Sequence, residues 1–249
     1  MRWLAAAFLL FLQDLEHADD CCREQIHTTV LRICQSCAKE TASCKLCGDC
    51  AKAREACEHC LREKGFAPMS NGEDLSGWVV VGNPSWSVEN GIIVCKGGDD
   101  GWLRTEKEYE DFVWRVEYRV IAEGGNSGLF VRATEQGNPA FTGMEIQILA
   151  DAGKPTDVHS SSALYGTMAP AKNLAKKAGE WNSVEITCRK RALSVIFNGE
   201  KVIDVPNLDD PTLPYQQKKL IERAKKGFIG LQNHEDRVEF RNPRLKLLD

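Results

Sequence analysis

Phe112-Val-Trp-Arg-Val-Glu-Tyr-Arg-Val120 alternates by parity: Phe112, Trp114, Val116, Tyr118 and Val120 fall on one side, Arg115, Glu117 and Arg119 on the other. A period of two is the signature of a strand with one face on a core and one on solvent. Similar alternation recurs outward in both directions, in Ser127 to Arg132, Met144 to Leu149, Val184 to Cys188, Phe228 to Gln232 and Val238 to Phe240. Asn90-Gly91 and Asn198-Gly199 each separate two apolar runs, the strongest short-range hairpin signal. Many short strands joined by tight turns predict an all-β class, a sandwich or jelly roll. Tyr215 to Lys226, introduced by Pro211 and Pro214, is polar and reads as a surface insertion with a short helix.

The chain has 249 residues, 43% hydrophobic and 27% charged, which are globular values and exclude a wholly disordered chain. Its 32 Lys+Arg against 36 Asp+Glu leave a formal charge of -4, so the bulk positive potential that dominates nucleic-acid affinity is missing. Met1-Arg2 and the apolar run Trp3 to Leu12 match a secretory signal over residues 1–20 and predict an exported protein, periplasmic, secreted or envelope-associated. Nine of the 11 cysteines then fall between Cys21 and Cys60. That block, residues 21–64, carries no proline and has apolar and cysteine residues at steps of three and four, predicting a small cysteine-rich helical hairpin. A boundary at Gly65-Phe66-Ala67-Pro68 opens the β-domain, residues 66–249.

The C-x2-C pairs within Cys34, Cys37, Cys44, Cys47, Cys50, Cys57 and Cys60 could bind zinc or copper(I) as thiolates. The same spacings suit a disulfide-stapled hairpin, which an oxidising location would favour, and both alternatives stand. Cys95 and Cys188 lie in expected strands and read as buried apolar residues.

Strand parity also nominates a site. With Leu129, Val131, Met144, Ile146, Ile148, Ile229 and Leu231 on the core side, Arg132, Glu145, Gln147, Gln232, His234 and Arg241 could line one concave sheet. Ordinary solvated polar residues would show the same parity. Gly124-Gly-Asn-Ser-Gly128 permits a close backbone approach to a ligand, without the strand-to-helix context of a phosphate loop.

Asn71-Gly-Glu-Asp-Leu-Ser-Gly-Trp78, Trp86-Ser-Val-Glu-Asn-Gly91, Tyr109-Glu-Asp-Phe112, Gly124 to Arg132, Glu145-Ile-Gln-Ile148, Gly179-Glu-Trp-Asn182, and Gly230-Leu-Gln-Asn-His234 followed by Phe240-Arg-Asn242 form an ordered series. The series resembles the 3-keto-disaccharide hydrolase domain family, a concanavalin-like jelly roll, over residues 66–249. The resemblance implies a glycoside substrate whose C3 hydroxyl a partner sugar 3-oxidoreductase has already oxidised. A C3 ketone acidifies the C2 proton, so a base can remove it, the C1 substituent can leave, and water can add. The resemblance supports these positions, and side-chain chemistry divides the roles: Glu145 is the candidate base, Arg132 the candidate enolate stabiliser and His234 the candidate acid or second base. Asn126, Gln147, Gln232 and Arg241 would bind sugar hydroxyls, and Trp102, Tyr165 or Trp181 would stack on sugar faces. The chain departs from the family pattern at His234-Glu235, where His-Gly is usual, and at Met144, where a tyrosine is common. A non-catalytic carbohydrate-binding module is the alternative on the same fold.

Overall fold

The computed structural model describes residues 65–249. The expected signal segment, the helical hairpin and the Cys34 to Cys60 thiolates fall outside the described residues. Eleven strands run in chain order: β1 (Ala67–Pro68), β2 (Trp78–Glu89), β3 (Ile92–Tyr109), β4 (Phe112–Val120), β5 (Asn126–Ala133), β6 (Met144–Leu149), β7 (Asn182–Arg189), β8 (Ala192–Phe197), β9 (Glu200–Val205), β10 (Gly227–Asn233) and β11 (Arg237–Leu247). Among the described residues helix is confined to one turn, α1 (Pro139–Thr142), and a 3-10 turn at Leu220–Glu222 inside the expected insertion.

The strands form one antiparallel hydrogen-bonded sheet in the order β6-β5-β10-β3-β11-β4-β7-β8-β9, with β1 on β11 and β2 on β3. Ile146 near one end of that path and Ile203 near the other belong to the same buried cluster, so the sheet curls over on itself. Phe112, Trp114, Val116, Tyr118 and Val120 all join this core, while Arg115, Glu117 and Arg119 face out. Its large aromatics stabilise the fold most: truncating Trp114, fully buried, costs about 3–5 kcal/mol. Both Asn-Gly turns carry two successive left-handed residues, Asn90 and Gly91 at φ 53° and 78°, Asn198 and Gly199 at 47° and 89°, the backbone that a two-residue hairpin with right-handed twist needs.

The jelly-roll expectation thus appears as one curled sheet with almost no helix. Two features depart from simple alternation. Between β5 and β10 the register slips, Phe228 pairing Ala133 while Gly230 pairs Phe130, so β5 holds one residue too many. The excess sits where Arg132 adopts φ 53°, and Ala133 then resumes the outward parity of Phe130. Arg132 is consequently swung away from the outward face and is fully buried. The second departure is the Tyr215 to Lys226 segment, which folds back to wall a cavity and is more than a surface insertion.

Candidate active site

A cavity of about 550 Å³ lies on the outward face of the β6-β5-β10-β3 portion of the sheet, with β2 at its far side. Register aligns its floor. Gln147 pairs Gly128, Gln232 pairs Trp102, and Trp102 pairs Val81; one step along, Glu145 pairs Phe130, which pairs Gly230. Trp102 and Phe130 meet edge to face at 5.6 Å and form an apolar patch with Ala140 and Phe141. Gly230 makes this possible, because a Cβ there would lie 2.3 Å from the Trp102 ring.

Glu145 is the chemical centre of the floor. Only 4% of the residue is exposed, and burial pushes its carboxyl up to about 8. Desolvation alone causes the shift, with no side-chain hydrogen bond offsetting it. The carboxyl leans over β5 into the space left by Gly128, where a Cβ would stand 2.3 Å from Oε1. The glycine-rich run therefore makes room for the protein's own carboxyl.

Around this group stand uncharged hydrogen-bonding side chains. The Gln147 amide donates to Asn126 Oδ1 at 3.2 Å, and Gln232 presents a buried Oε1 that no protein donor reaches. Asp236, in the turn after β10, accepts the Asn126 backbone N–H at 2.8 Å, and the Ser127 hydroxyl donates to Gln232 O at 2.8 Å. These two bonds fix the start of β5 against the end of β10, where exposed His234 reaches the cavity rim. Tyr165 hangs over the opposite side: its N–H donates to Glu145 O at 3.0 Å, and its ring packs edge-on against His159 at 5.0 Å. Burial and the neighbouring Glu145 both raise the Tyr165 phenol, so it stays protonated.

Seven of the ten residues nominated for catalysis or substrate binding line this cavity: Glu145, His234, Asn126, Gln147, Gln232, Tyr165 and Trp102. Arg132, Arg241 and Trp181 do not. Through the bulge, Arg132 donates to Glu110 O at 2.7 Å, Lys190 O at 2.9 Å and Asp111 Oδ1 at 3.1 Å, tying two turns together. Arg241 faces outward on β11, a different part of the curled sheet, where it pairs with Glu117 at 2.6 Å and covers the Trp181 ring at 4.1 Å. Arg119 lies 4.7 Å from the same ring, so Trp181 packs against two guanidinium groups and away from the cavity. Sequence parity missed Asn138 and Phe141, at the cap and within α1, and Gln216 and Gln217, which reach the cavity from a loop. Asn138-Pro139 was the one local signal: Asn138 caps α1, its Oδ1 accepting from Ala140 N at 3.0 Å.

No lysine or arginine lines the cavity among the described residues. Nor do three or more His, Cys, Asp or Glu side chains cluster as metal ligands among them. The other carboxylate on the cavity is Asp100, on β3, three strands from Glu145. Three strand spacings are roughly 14 Å, beyond the separations of about 5 Å or 6.5–9.5 Å that paired-carboxylate glycosidases use. The site thus offers one buried base beside neutral donors.

A family model described as the 3-keto-alpha-glucoside-1,2-lyase-like domain matches residues 65–246. The chain belongs to this family. A 3-keto-disaccharide hydrolase of Bacteroides thetaiotaomicron is 29% identical to this member of the 3-keto-alpha-glucoside-1,2-lyase-like family over 231 residues, 74% of this chain and 79% of the relative. A candidate glycosyl hydrolase of Parabacteroides distasonis superposes with a TM-score of 0.65 at 25% identity, covering 76% of this chain and 96% of its own. A Bacillus subtilis protein with a galectin-like fold aligns with a TM-score of 0.52 at 14% identity over 73% of this chain and 94% of its own. At that identity it speaks for the jelly-roll fold alone.

Proposed function

We propose that this domain cleaves the glycosidic bond of 3-keto-glycosides by elimination. The observation that carries the proposal is a single buried carboxyl, Glu145, raised to about 8, on the floor of a sugar-sized cavity without a second carboxylate in range. The relative's 3-keto-disaccharide substrate and the lyase family description support the substrate class. In the reaction the Glu145 carboxylate takes the proton from C2, and the electron pair passes into the C3 carbonyl as an enolate. Collapse of the enolate forms the C1=C2 double bond and breaks the bond from C1 to oxygen; the departing oxygen takes a proton.

With Arg132 engaged elsewhere, enolate stabilisation falls to neutral donors held in a buried setting, the Gln147 and Gln232 amides and the Tyr165 hydroxyl. His234, at the rim beyond Gln232, would serve as the second base, acting on the water that adds to C1. Water adding to C1 with return of a proton to C2 completes hydrolysis, so a lyase and a hydrolase share the first half of this course. The ketone must be installed beforehand by a sugar 3-oxidoreductase.

The test is turnover of a 3-keto-disaccharide panel in D2O, with and without a chelator, followed by proton NMR. Deuterium entering C2 together with release of the C1 substituent is expected, and both should fall by at least 100-fold in Glu145→Gln. Binding of the sugar with neither exchange nor cleavage by the wild type would replace this proposal with a carbohydrate-binding role.

A further inference from the structure

The cavity has two unlike halves on either side of Glu145. Asn126, Gln147, Gln232 and Trp102 stand on paired strands. Asn138 and Phe141, from the α1 connection, and Gln216 and Gln217, from the loop before β10, come from two segments distant in sequence. Arg223 joins those segments. Only 2% exposed, its guanidinium donates from Nη1 to Ala140 O at 3.0 Å and Gly143 O at 3.2 Å, from Nη2 to Gln216 O at 3.1 Å, and from Nε to Lys218 O at 3.0 Å. All four acceptors are backbone carbonyls. A buried cation satisfied in this way is costly, and mere surface loops do not need one.

What the clamp holds is a strained turn. Lys218 N donates to Gln216 O at 2.6 Å, and Gln217 between them sits at φ 58°, the uncommon γ-turn with positive φ. Arg223 grips the carbonyls on both sides of it. Gly166, itself at φ 65°, accommodates the neighbouring side chain: a Cβ there would lie 2.6 Å from Gln216 Oε1. Strain, a buried clamp and a made-to-measure glycine thus converge on two carboxamides at one wall of the cavity.

We infer that this loop wall is the leaving-group subsite, that Gln216 and Gln217 select a hydroxyl-bearing leaving group such as a second sugar, and that Arg223 is the positioning residue that presents them. The inference rests on the cleavage reaction proposed above. The ring that loses its C2 proton needs placement within fractions of an ångström, which strands supply better than loops, so it belongs over the sheet half. The group departing from C1 then projects toward the loops. Carboxamides there offer donors and acceptors to neutral hydroxyls and little to a flat apolar aglycone.

The experiment compares kcat and KM for a 3-keto-disaccharide and for p-nitrophenyl 3-keto-glucoside across wild type, Gln216→Ala, Gln217→Gly, Arg223→Met and Gln232→Ala, with Tm for each. The disaccharide-to-aryl ratio of kcat/KM should fall about three- to ten-fold for each lost carboxamide, chiefly through KM, as expected for a neutral hydrogen bond. Gln217→Gly should do so with an unchanged or higher Tm, because glycine relieves the positive φ, which separates recognition from folding. Arg223→Met should lower the ratio together with Tm. Gln232→Ala should lower both substrates in proportion and leave the ratio as it was. An unchanged ratio in Gln216→Ala and Gln217→Gly overturns the subsite while the reaction stands. If wild type cleaves neither substrate, the reaction itself is wrong and the subsite falls with it.

Discussion

At the scale of single residues, Glu145 links catalysis to stability with opposite signs. Its folded pKa, about 8, lies above the ordinary 4.5, so the folded protein holds a proton that the unfolded chain releases between those values. Stability contributed by the neutral carboxyl is full below pH about 4.5 and is lost as pH rises through about 8. As a base, however, Glu145 works only once deprotonated. The kcat/KM of the wild type should therefore climb with pH to a plateau with its inflection near 8, read from initial rates between pH 5 and 10. In denaturant melts, Glu145→Gln should match the wild type at pH 4 and exceed it above pH 8. Gly128 supplies the companion prediction. Its missing Cβ is what lets the carboxyl lie where it does, so Gly128→Ala should displace Oε1 and lower kcat by about 10- to 100-fold. The clash is with the movable end of a side chain, so Tm should shift by only a few degrees.

At the scale of elements, strand β5 explains both what the sequence disclosed and what it hid. Alternation alone placed Glu145, Gln147 and Gln232 on one outward face, because paired strands preserve parity wherever the register runs unbroken. The same rule misplaced Arg132, since one extra residue at φ 53° resets parity without any glycine to announce it. Arg241 failed for another reason: parity says that a side chain points outward, and a curled sheet has more than one outward side. Gln216, Gln217 and Asn138 lay beyond such reasoning altogether, as loops meet through closure that no local pattern records. Arg132 in its true place is a staple. Arg132→Met takes the donor from the Glu110 and Lys190 carbonyls and the cation from Asp111, which keeps only the Lys190 N–H, and should cost roughly 3 kcal/mol or more in urea unfolding. KM of the folded fraction should stay at the wild-type value, because no atom of Arg132 lines the cavity.

At the scale of the whole molecule, one core holds both ends of the sheet, and its two cysteines report on it. Cys95 on β3 and Cys188 on β7 are free and buried, and burial pushes their thiols to about 11 and about 12. At neutral pH both should resist maleimide on the native domain and become labelled together at the rate of global opening, with mass spectrometry counting each site. Simultaneous loss of protection is expected because β3 and β7 are joined through β11 and β4 in one path. The position of β11 carries a consequence for biogenesis. Strand β11, last in chain order among the described residues, lies between β3 and β4, in the middle of the sheet. Until β11 leaves the ribosome, β3 and β4 each keep an unpaired edge open to other chains. The sheet therefore cannot close until Leu247 has been made, and a chain interrupted before Arg237 leaves two open edges and is an aggregation hazard.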